Sequence, residues 1–69
     1  MENNEVKFPD VIVELVGQDG NAFAILGRVA AAMRRAGLSK DVIDDYTEQA
    51  TSGDYDNLLT VTMQTVTVL

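Results

Sequence analysis

Residues 59–68, LTVTMQTVTV, decide the fold on sequence grounds. Threonine and valine dominate this stretch, and β-branched side chains are stiff and pack well on a pleated sheet. The apolar residues of its first half are out of phase with those of its second half, and a β-bulge near Gln64 and Thr65 would restore the alternation. The pattern therefore predicts a long second strand at the end of the chain.

A first strand is predicted over Val11–Val16, VIVELV, between Pro9 and Gly17. Proline has no N–H and fits just ahead of a strand. Both faces of this strand would be mostly apolar, which is unusual for a strand with one face in water. The chain has 69 residues, so we expect one domain over residues 10–69, preceded by a flexible arm over residues 1–9.

Two helices are predicted between the strands. The first runs from Ala22 to about Ala36, with Asn21 as N-cap and Gly37 as the residue that ends it. The second covers about residues 40–52, with Ser39 as N-cap. Their apolar residues recur at helical spacing. The first apolar face comprises Ala22, Ile25, Leu26, Val29, Ala30, Met33 and Ala36, and the second comprises Val42, Ile43, Tyr46 and Ala50.

The predicted order is β-α-α-β, in an α+β two-layer domain. Two returning helices leave the two strands antiparallel if they pair directly, with both helices on one face of the sheet. A two-stranded sheet is marginal in water, and its open edges invite another chain. The sequence has no cysteine and no histidine, which excludes disulfides and the commonest metal ligands as stabilising devices. We therefore expect a homodimer that joins two sheets into one of about four strands.

Gly27 is unusual inside a helix, where glycine costs about 1 kcal/mol relative to alanine. Together with Ala24 and Ala31 it forms a strip of small side chains. Either another helix approaches closely here, within the chain or across a dimer, or the helix simply tolerates the glycine.

Charge and composition exclude several classes of function. The net charge is −6, and the five basic residues are scattered along the sequence, which argues against direct binding of nucleic-acid phosphates. No apolar run approaches the roughly 20 residues that span a bilayer. The acidic N-terminus is unlike a signal peptide, so we expect a cytoplasmic protein that does not bind a membrane.

An enzyme is not expected. Ser39 and Ser52 have no histidine to activate them, and paired carboxylates occur only on a face that should be exposed. The chain is also small for enclosing a pocket of a few hundred Å³. We therefore predict no catalytic residue, no cofactor and no metal site.

Acidic residues of the second helix and of the following segment are the most distinctive chemical feature. The predicted partner-binding residues are Asp41, Asp44, Asp45, Glu48, Asp54, Tyr55 and Asp56. A solvated helix face explains most such charge runs. The alternatives are a mimic of nucleic-acid phosphates and a divalent-cation site, although the spacing does not match the EF-hand loop.

The aromatic residues divide by position. Tyr46 lies on the apolar stripe of the second helix and is expected in the core, with its hydroxyl at the rim. Tyr55 lies between two aspartates in a predicted loop and is the better candidate for a partner contact. Phe8 and Phe23 are expected to pack in the core.

Three segments of the sequence carry a resemblance to known sequences: VGQDGNAF at 16–23, RRAG at 34–37 and SGDYDNLL at 52–59. Together they resemble a family of small hypothetical proteins from bacteria, bacteriophages and other mobile elements. The resemblance runs from about residue 11 to the end of the chain. It implies a bacterial or phage setting and carries over no functional residues, because that family has no assigned activity.

The predicted function is a non-enzymatic module that binds an unidentified protein, in a homodimer. One alternative is an acidic inhibitor that mimics nucleic acid and blocks a DNA-binding protein. Another is a small regulatory module whose ligand site is formed across a dimer interface.

Overall fold

The computed structural model describes residues 6–15, 17 and 20–69. Over these ranges the chain is a small mixed α+β fold with the order β-α-α-α-β. The elements are β1 (Phe8–Val13), α1 (Ala22–Arg35), α2 (Lys40–Ala50), α3 (Tyr55–Thr65) and β2 (Val66–Val68). Of the predicted arm, residues 1–5 lie outside the described ranges, and Phe8 and Pro9 belong to β1.

The two strands pair in parallel, with Ile12 opposite Thr67 and Val13 opposite Val68. The antiparallel prediction is therefore wrong, and the reason is the number of helices between the strands. Each helix reverses the direction of the chain, so two helices return the second strand antiparallel and three return it parallel. The described chain has three helices where the sequence predicts two, and the extra helix inverts β2.

The third helix takes up most of the stretch that was predicted to be a strand. Residues 59–65 belong to α3, and only Val66–Val68 form β2. The buried residues of α3 are Leu58, Thr62 and Thr65, which recur at helical spacing on one face. Because two of these three are threonines, the apolar period of the helix is hidden in the sequence, and the β-branched composition favours a strand instead.

The buried threonines of α3 satisfy their hydroxyl groups inside the fold. Thr65 Oγ1 donates to the carbonyl oxygen of Val61 at 2.7 Å, one turn back. Thr62 is fully buried, and its Oγ1 lies 2.8 Å from the hydroxyl of Tyr46 on α2. A buried hydroxyl is costly only when it lacks a partner, so these residues can occupy the core face of a helix.

The first strand lies earlier in the sequence than predicted. It begins at Phe8 and ends at Val13, so Pro9 lies within it, and Val16 is outside the described residues. An edge strand tolerates proline, because the missing N–H need not face a neighbouring strand. The pairing is irregular between Phe8 and Ile12, and Thr67 Oγ1 donates to the Pro9 carbonyl oxygen at 2.8 Å.

The predicted helix caps are confirmed. Asn21 accepts a hydrogen bond from the Phe23 N–H, and Ser39 accepts one from the Val42 N–H. Gly37 has φ of +88° and donates its N–H to the Arg34 carbonyl oxygen, so the end of α1 requires a residue that is at ease in the left-handed region.

The core lies between the three helices and one face of the sheet. Val11, Val13 and Val66 are buried on this face, whereas Ile12 on the opposite face is 57% exposed. The sequence predicts a first strand that is mostly apolar on both faces. In the structure the helices cover one face, and Pro9, Asp10 and Ile12 of β1 are exposed. The other buried apolar residues are Ile25, Val29, Met33, Ile43, Tyr46, Ala50 and Leu58.

Candidate functional site

The predicted partner-binding residues fall into two groups in the structure. The first follows the exposed side of α2, and the second forms the beginning of α3. The α2 group is Asp41, Asp44, Asp45 and Glu48, and the α3 group is Asp54, Tyr55 and Asp56. All seven are exposed, and 46% of the Tyr55 surface is accessible to solvent.

The carboxylates of α2 are solvated side chains with few local partners. Asp44 forms an ion pair with Lys40 at 2.7 Å, and Asp45 accepts a hydrogen bond from the Gln49 side chain at 2.9 Å. Within the described ranges, no three acidic side chains come together in a way that could hold a metal ion. The helix therefore presents a solvent-exposed, negatively charged surface.

A shallow groove of about 320 Å³ runs along this acidic face. Phe8, Val42 and Tyr46 contribute apolar lining to this groove, and Asp41 and Asp45 contribute negative charge. Lys7 also lines the groove and offsets part of the negative charge.

The carboxylates that begin α3 have structural roles. Asp54 is the N-cap and accepts a hydrogen bond from the Asn57 N–H at 2.9 Å. Asp56 lies in the first turn, where the helix dipole stabilises negative charge. The Asn57 side chain donates to the Gln49 carbonyl oxygen at 2.9 Å, which fastens the beginning of α3 to the end of α2. The predicted loop at 54–57 is therefore a capped helix terminus.

Glycine at position 53 allows this tight connection. A Cβ atom there would lie 2.9 Å from the Cβ of Asn57, closer than real Cβ contacts come. The approach of Gly53 to Asn57 holds the short turn between α2 and α3 in place. The position of Tyr55 beside α1 follows from this turn.

Tyr55 joins the beginning of α3 to the segment that precedes α1. Its hydroxyl donates to the carbonyl oxygen of Gly20 at 2.5 Å. The ring is thereby held in a fixed position while 46% of the residue stays exposed. A fixed, half-exposed aromatic ring is the kind of anchor that protein interfaces favour.

Two apolar grooves meet at the Tyr55 ring. One has a volume of about 250 Å³ and lies between the beginnings of α1 and α3, with Phe23, Leu26 and Leu58 among its walls. The other has a volume of about 270 Å³ and is lined by residues that include Leu15, Ile25 and Met63. We call these two grooves, with Phe23, Tyr55 and Met63, the Tyr55 surface.

Phe23 is the residue of this surface that sequence reasoning missed. It was predicted to pack in the core, but its side chain is 83% exposed, so the prediction is wrong. The signal was present in the sequence, since Phe23 does not belong to the apolar face of the first helix and shares its side with Gly27. Met63 was also missed; it is 56% exposed and lies in α3, whereas the sequence predicts it in the second strand.

Tyr46 is in the core, as predicted, but its hydroxyl is not at the rim. Only 3% of the residue is exposed, and the hydroxyl is hydrogen-bonded to buried Thr62. Burial raises the pKa of Tyr46 above its ordinary value of 10.0, and the Thr62 hydrogen bond acts in the opposite direction. The phenol is therefore a structural group that stays protonated at physiological pH.

The basic residues are less scattered in space than in the sequence. Arg28 and Arg35 line one groove of about 380 Å³ between α1 and β1. Gly27 and Ala31 of the predicted small-residue strip line the same groove. Lys7 and Lys40 lie elsewhere, on or beside the acidic face.

None of the helices in the described ranges has the length and apolar character that a membrane crossing needs. No protein-family model, curated protein or solved structure matches this chain. The resemblance inferred from the sequence therefore stays a prediction, and the candidate site rests on its own geometry.

Proposed function

We propose that this protein is a non-enzymatic binding module that docks a segment of another protein on the Tyr55 surface. The single observation that carries the proposal is the exposure of Phe23, which is 83% accessible to solvent. Burying a phenylalanine contributes about 1.5–3 kcal/mol, which the described chain leaves unused. Phe23 adjoins Leu26, Tyr55 and Leu58 in one groove, and contiguous exposed apolar patches mark interaction sites.

The Tyr55 surface has the composition of an interface core. Phe23, Tyr55 and Met63 supply two aromatic rings and a flexible thioether, which are enriched where proteins bind each other. Each of the two grooves has room for one or two apolar side chains. The ring of Tyr55 lies between the grooves and would contact the residues entering both.

Charge indicates the chemistry of the partner segment. Asp54 lines the groove that contains Phe23, and Asp56 follows Tyr55 on the exposed side of α3. The chain as a whole carries a net charge of −6. The partner we propose is an apolar segment flanked by lysine or arginine. The apolar anchors supply the affinity, and the basic flanks supply orientation and rate of association.

A peptide selection tests the proposal without knowledge of the natural partner. Peptides that bind the full-length protein are selected from a randomised library, and their affinities are measured by calorimetry. We expect selected peptides to combine apolar anchors with basic flanks. Phe23→Ala should weaken their binding by about tenfold or more, which corresponds to about 1.4 kcal/mol.

The matched control is Ile12→Ala, which removes another exposed apolar side chain from a different groove. It should leave peptide affinity unchanged. Phe23→Ala should also keep the fold, because Phe23 contributes little to the core and alanine is a better helix former. Peptides that bind the Phe23→Ala variant as tightly as the native chain would exclude the Tyr55 surface as the docking site.

A second candidate function is supported by the α2 carboxylates. Asp41, Asp44, Asp45 and Glu48 lie exposed along one helix, with one lysine paired among them in the described chain. This face could act as a decoy for a DNA-binding protein. Such binding would weaken steeply with salt and would be weakened by Asp41→Asn with Asp45→Asn, whereas binding at the Tyr55 surface would depend on salt only weakly.

A further inference from the structure

The outer edge of β1 has no neighbouring strand in the described part of the chain, where the sheet consists of β1 and β2 alone. Toward β2, the Val13 carbonyl oxygen accepts from the Leu69 N–H at 2.9 Å, and the Leu15 N–H donates to Leu69 at 3.0 Å. The main-chain groups of successive strand residues point to opposite edges. Those of Ile12 and Glu14 are therefore directed to the open edge, where they can pair with another strand.

The groove between β1 and α1 lies beside this open edge. Its α1 wall is low because it is built from small residues such as Gly27 and Ala31. A Cβ atom at Gly27 would meet nothing within 4 Å in the described chain, so internal packing does not require the glycine. The small residues leave room for a second chain next to the edge.

Charge favours an acidic occupant on this side of the molecule. Arg28 and Arg35, which line this groove together with Glu14, form the arginine side of α1 in a chain that carries −6. Two copies of such a chain repel each other in most orientations, and the arginine side of α1 is where an acidic copy is attracted. A copy that presents its β1 brings Asp10 and Glu14 to this side.

We propose that β1 pairs antiparallel with β1 of a second copy across a two-fold axis, which makes a four-stranded sheet. The contact is isologous, so each copy offers and receives the same edge. It pairs the main-chain groups of Ile12 and Glu14, partly covers the 57% exposed Ile12 side chain and converts a marginal two-stranded sheet into a stable one. This assembly goes beyond the proposed function, because the Tyr55 surface is built from other residues.

Sedimentation equilibrium of the full chain measures the assembly directly. The native protein should be a dimer at micromolar concentration. Ile12→Lys places a charge on the edge of each copy and should raise the dimer dissociation constant by about tenfold or more. Thr60→Lys makes the same change of charge on the exposed side of α3 and should leave the dissociation constant within about twofold of the native value.

A second pair of variants isolates the charge argument. Arg35→Glu and Arg34→Glu alter the charge equally and lie in the same last turn of α1, but of these two residues Arg35 alone lines the groove. Arg35→Glu should weaken the dimer several-fold more than Arg34→Glu. Equal effects of the two variants would contradict a contact at this groove.

Hydrogen exchange measured by NMR locates the pairing. The amides of Ile12 and Glu14 should become protected as the native protein concentration rises through the dissociation constant. A monomer at all concentrations, or a dimer unaffected by Ile12→Lys, overturns the proposal. The proposal is also overturned if the protein stays monomeric and its edge amides become protected only when an acidic extended peptide is added. That outcome would mean that the edge of β1 pairs with a strand of another protein. Peptide binding at the Tyr55 surface should persist in Ile12→Lys, which separates the two proposals.

Discussion

The buried hydrogen bond between Tyr46 and Thr62 offers the most direct test of the fold. The two hydroxyl oxygens are 2.8 Å apart, and they join α2 to α3 across 16 residues of sequence. Thr62 is 0% exposed and Tyr46 is 3% exposed. Replacing one partner leaves the other as a buried group without its bond, at a cost of about 1–3 kcal/mol, whereas replacing both by apolar groups of the same shape is nearly neutral.

The two single substitutions should differ in size. In Tyr46→Phe, the Thr62 hydroxyl can rotate toward the carbonyl oxygen of Leu58 one turn back, as Thr65 already does with Val61, so we expect a loss of about 1 kcal/mol. In Thr62→Val, the Tyr46 hydroxyl is held at the end of a packed ring and has no second hydrogen-bond partner shown in the described chain, so we expect a loss of about 2 kcal/mol. Threonine and valine have similar helix propensities, which leaves the hydroxyl as the main difference.

The double variant, Tyr46→Phe with Thr62→Val, should lose less than about 1 kcal/mol, which makes the coupling energy about 2 kcal/mol. Urea denaturation followed by far-UV circular dichroism measures all four proteins, at one protein concentration because association would shift the midpoint. Losses that simply add, or a Thr62→Val variant as stable as the native chain, would refute the burial of Thr62 on α3. A solvent-facing Thr62, as on an exposed strand face, would give that second result.

Three further predictions concern local features. Gly27→Ala should raise the free energy of unfolding by up to about 1 kcal/mol in urea titrations of the monomer, because alanine is the better helix former and its Cβ meets nothing in the described chain. Asp54→Ala should lower it by about 1 kcal/mol through loss of the N-cap of α3, whereas Asp56→Asn, which keeps the cap, should cost less. Because the pKa of Tyr46 is raised in the folded state, the unfolded chain loses its phenol proton first. The contribution of Tyr46 to the free energy of unfolding is therefore fully present below pH 10.0 and is lost as the pH rises through the pKa of the folded state. Tyr46→Phe should flatten that fall in a pH series of melting temperatures, and an unchanged slope would contradict the assignment.

Local features of the fold could be predicted because their signals lie within a few residues. Asn21, Ser39 and Gly37 end or begin helices through bonds to their immediate neighbours, and all three were identified from the sequence. The buried face of α2 was also identified, since Ile43, Tyr46 and Ala50 are apolar or aromatic at helical spacing. These positions need no information from the rest of the chain.

The candidate site could be predicted only in part. Tyr55 was identified as the more available tyrosine, and the structure places it between two apolar grooves. Phe23 was assigned to the core because aromatic residues usually are buried, although its helical position is off the apolar face. The grooves themselves depend on how α1 and α3 meet, which follows from the Gly53 turn and from the bond between Tyr55 and Gly20.

The error over α3 has a physical cause that also explains why its threonines matter. Thr62 and its partner Tyr46 are 16 residues apart and lie in different helices, so the pattern of neighbouring residues does not show the bond between them. From its neighbours alone, Thr62 is a β-branched residue whose hydroxyl has no identified partner. In the folded chain that hydroxyl is bonded only if residues 55–65 are helical and pack on α2, which places Thr62 against Tyr46. An apolar residue at position 62 could be buried on the core face of either a helix or a strand without leaving a polar group unpaired. The buried hydroxyl discriminates between them because one alternative leaves two polar groups without partners. The direction of β2 then follows from the helix, since a third reversal of the chain is what makes the two strands parallel.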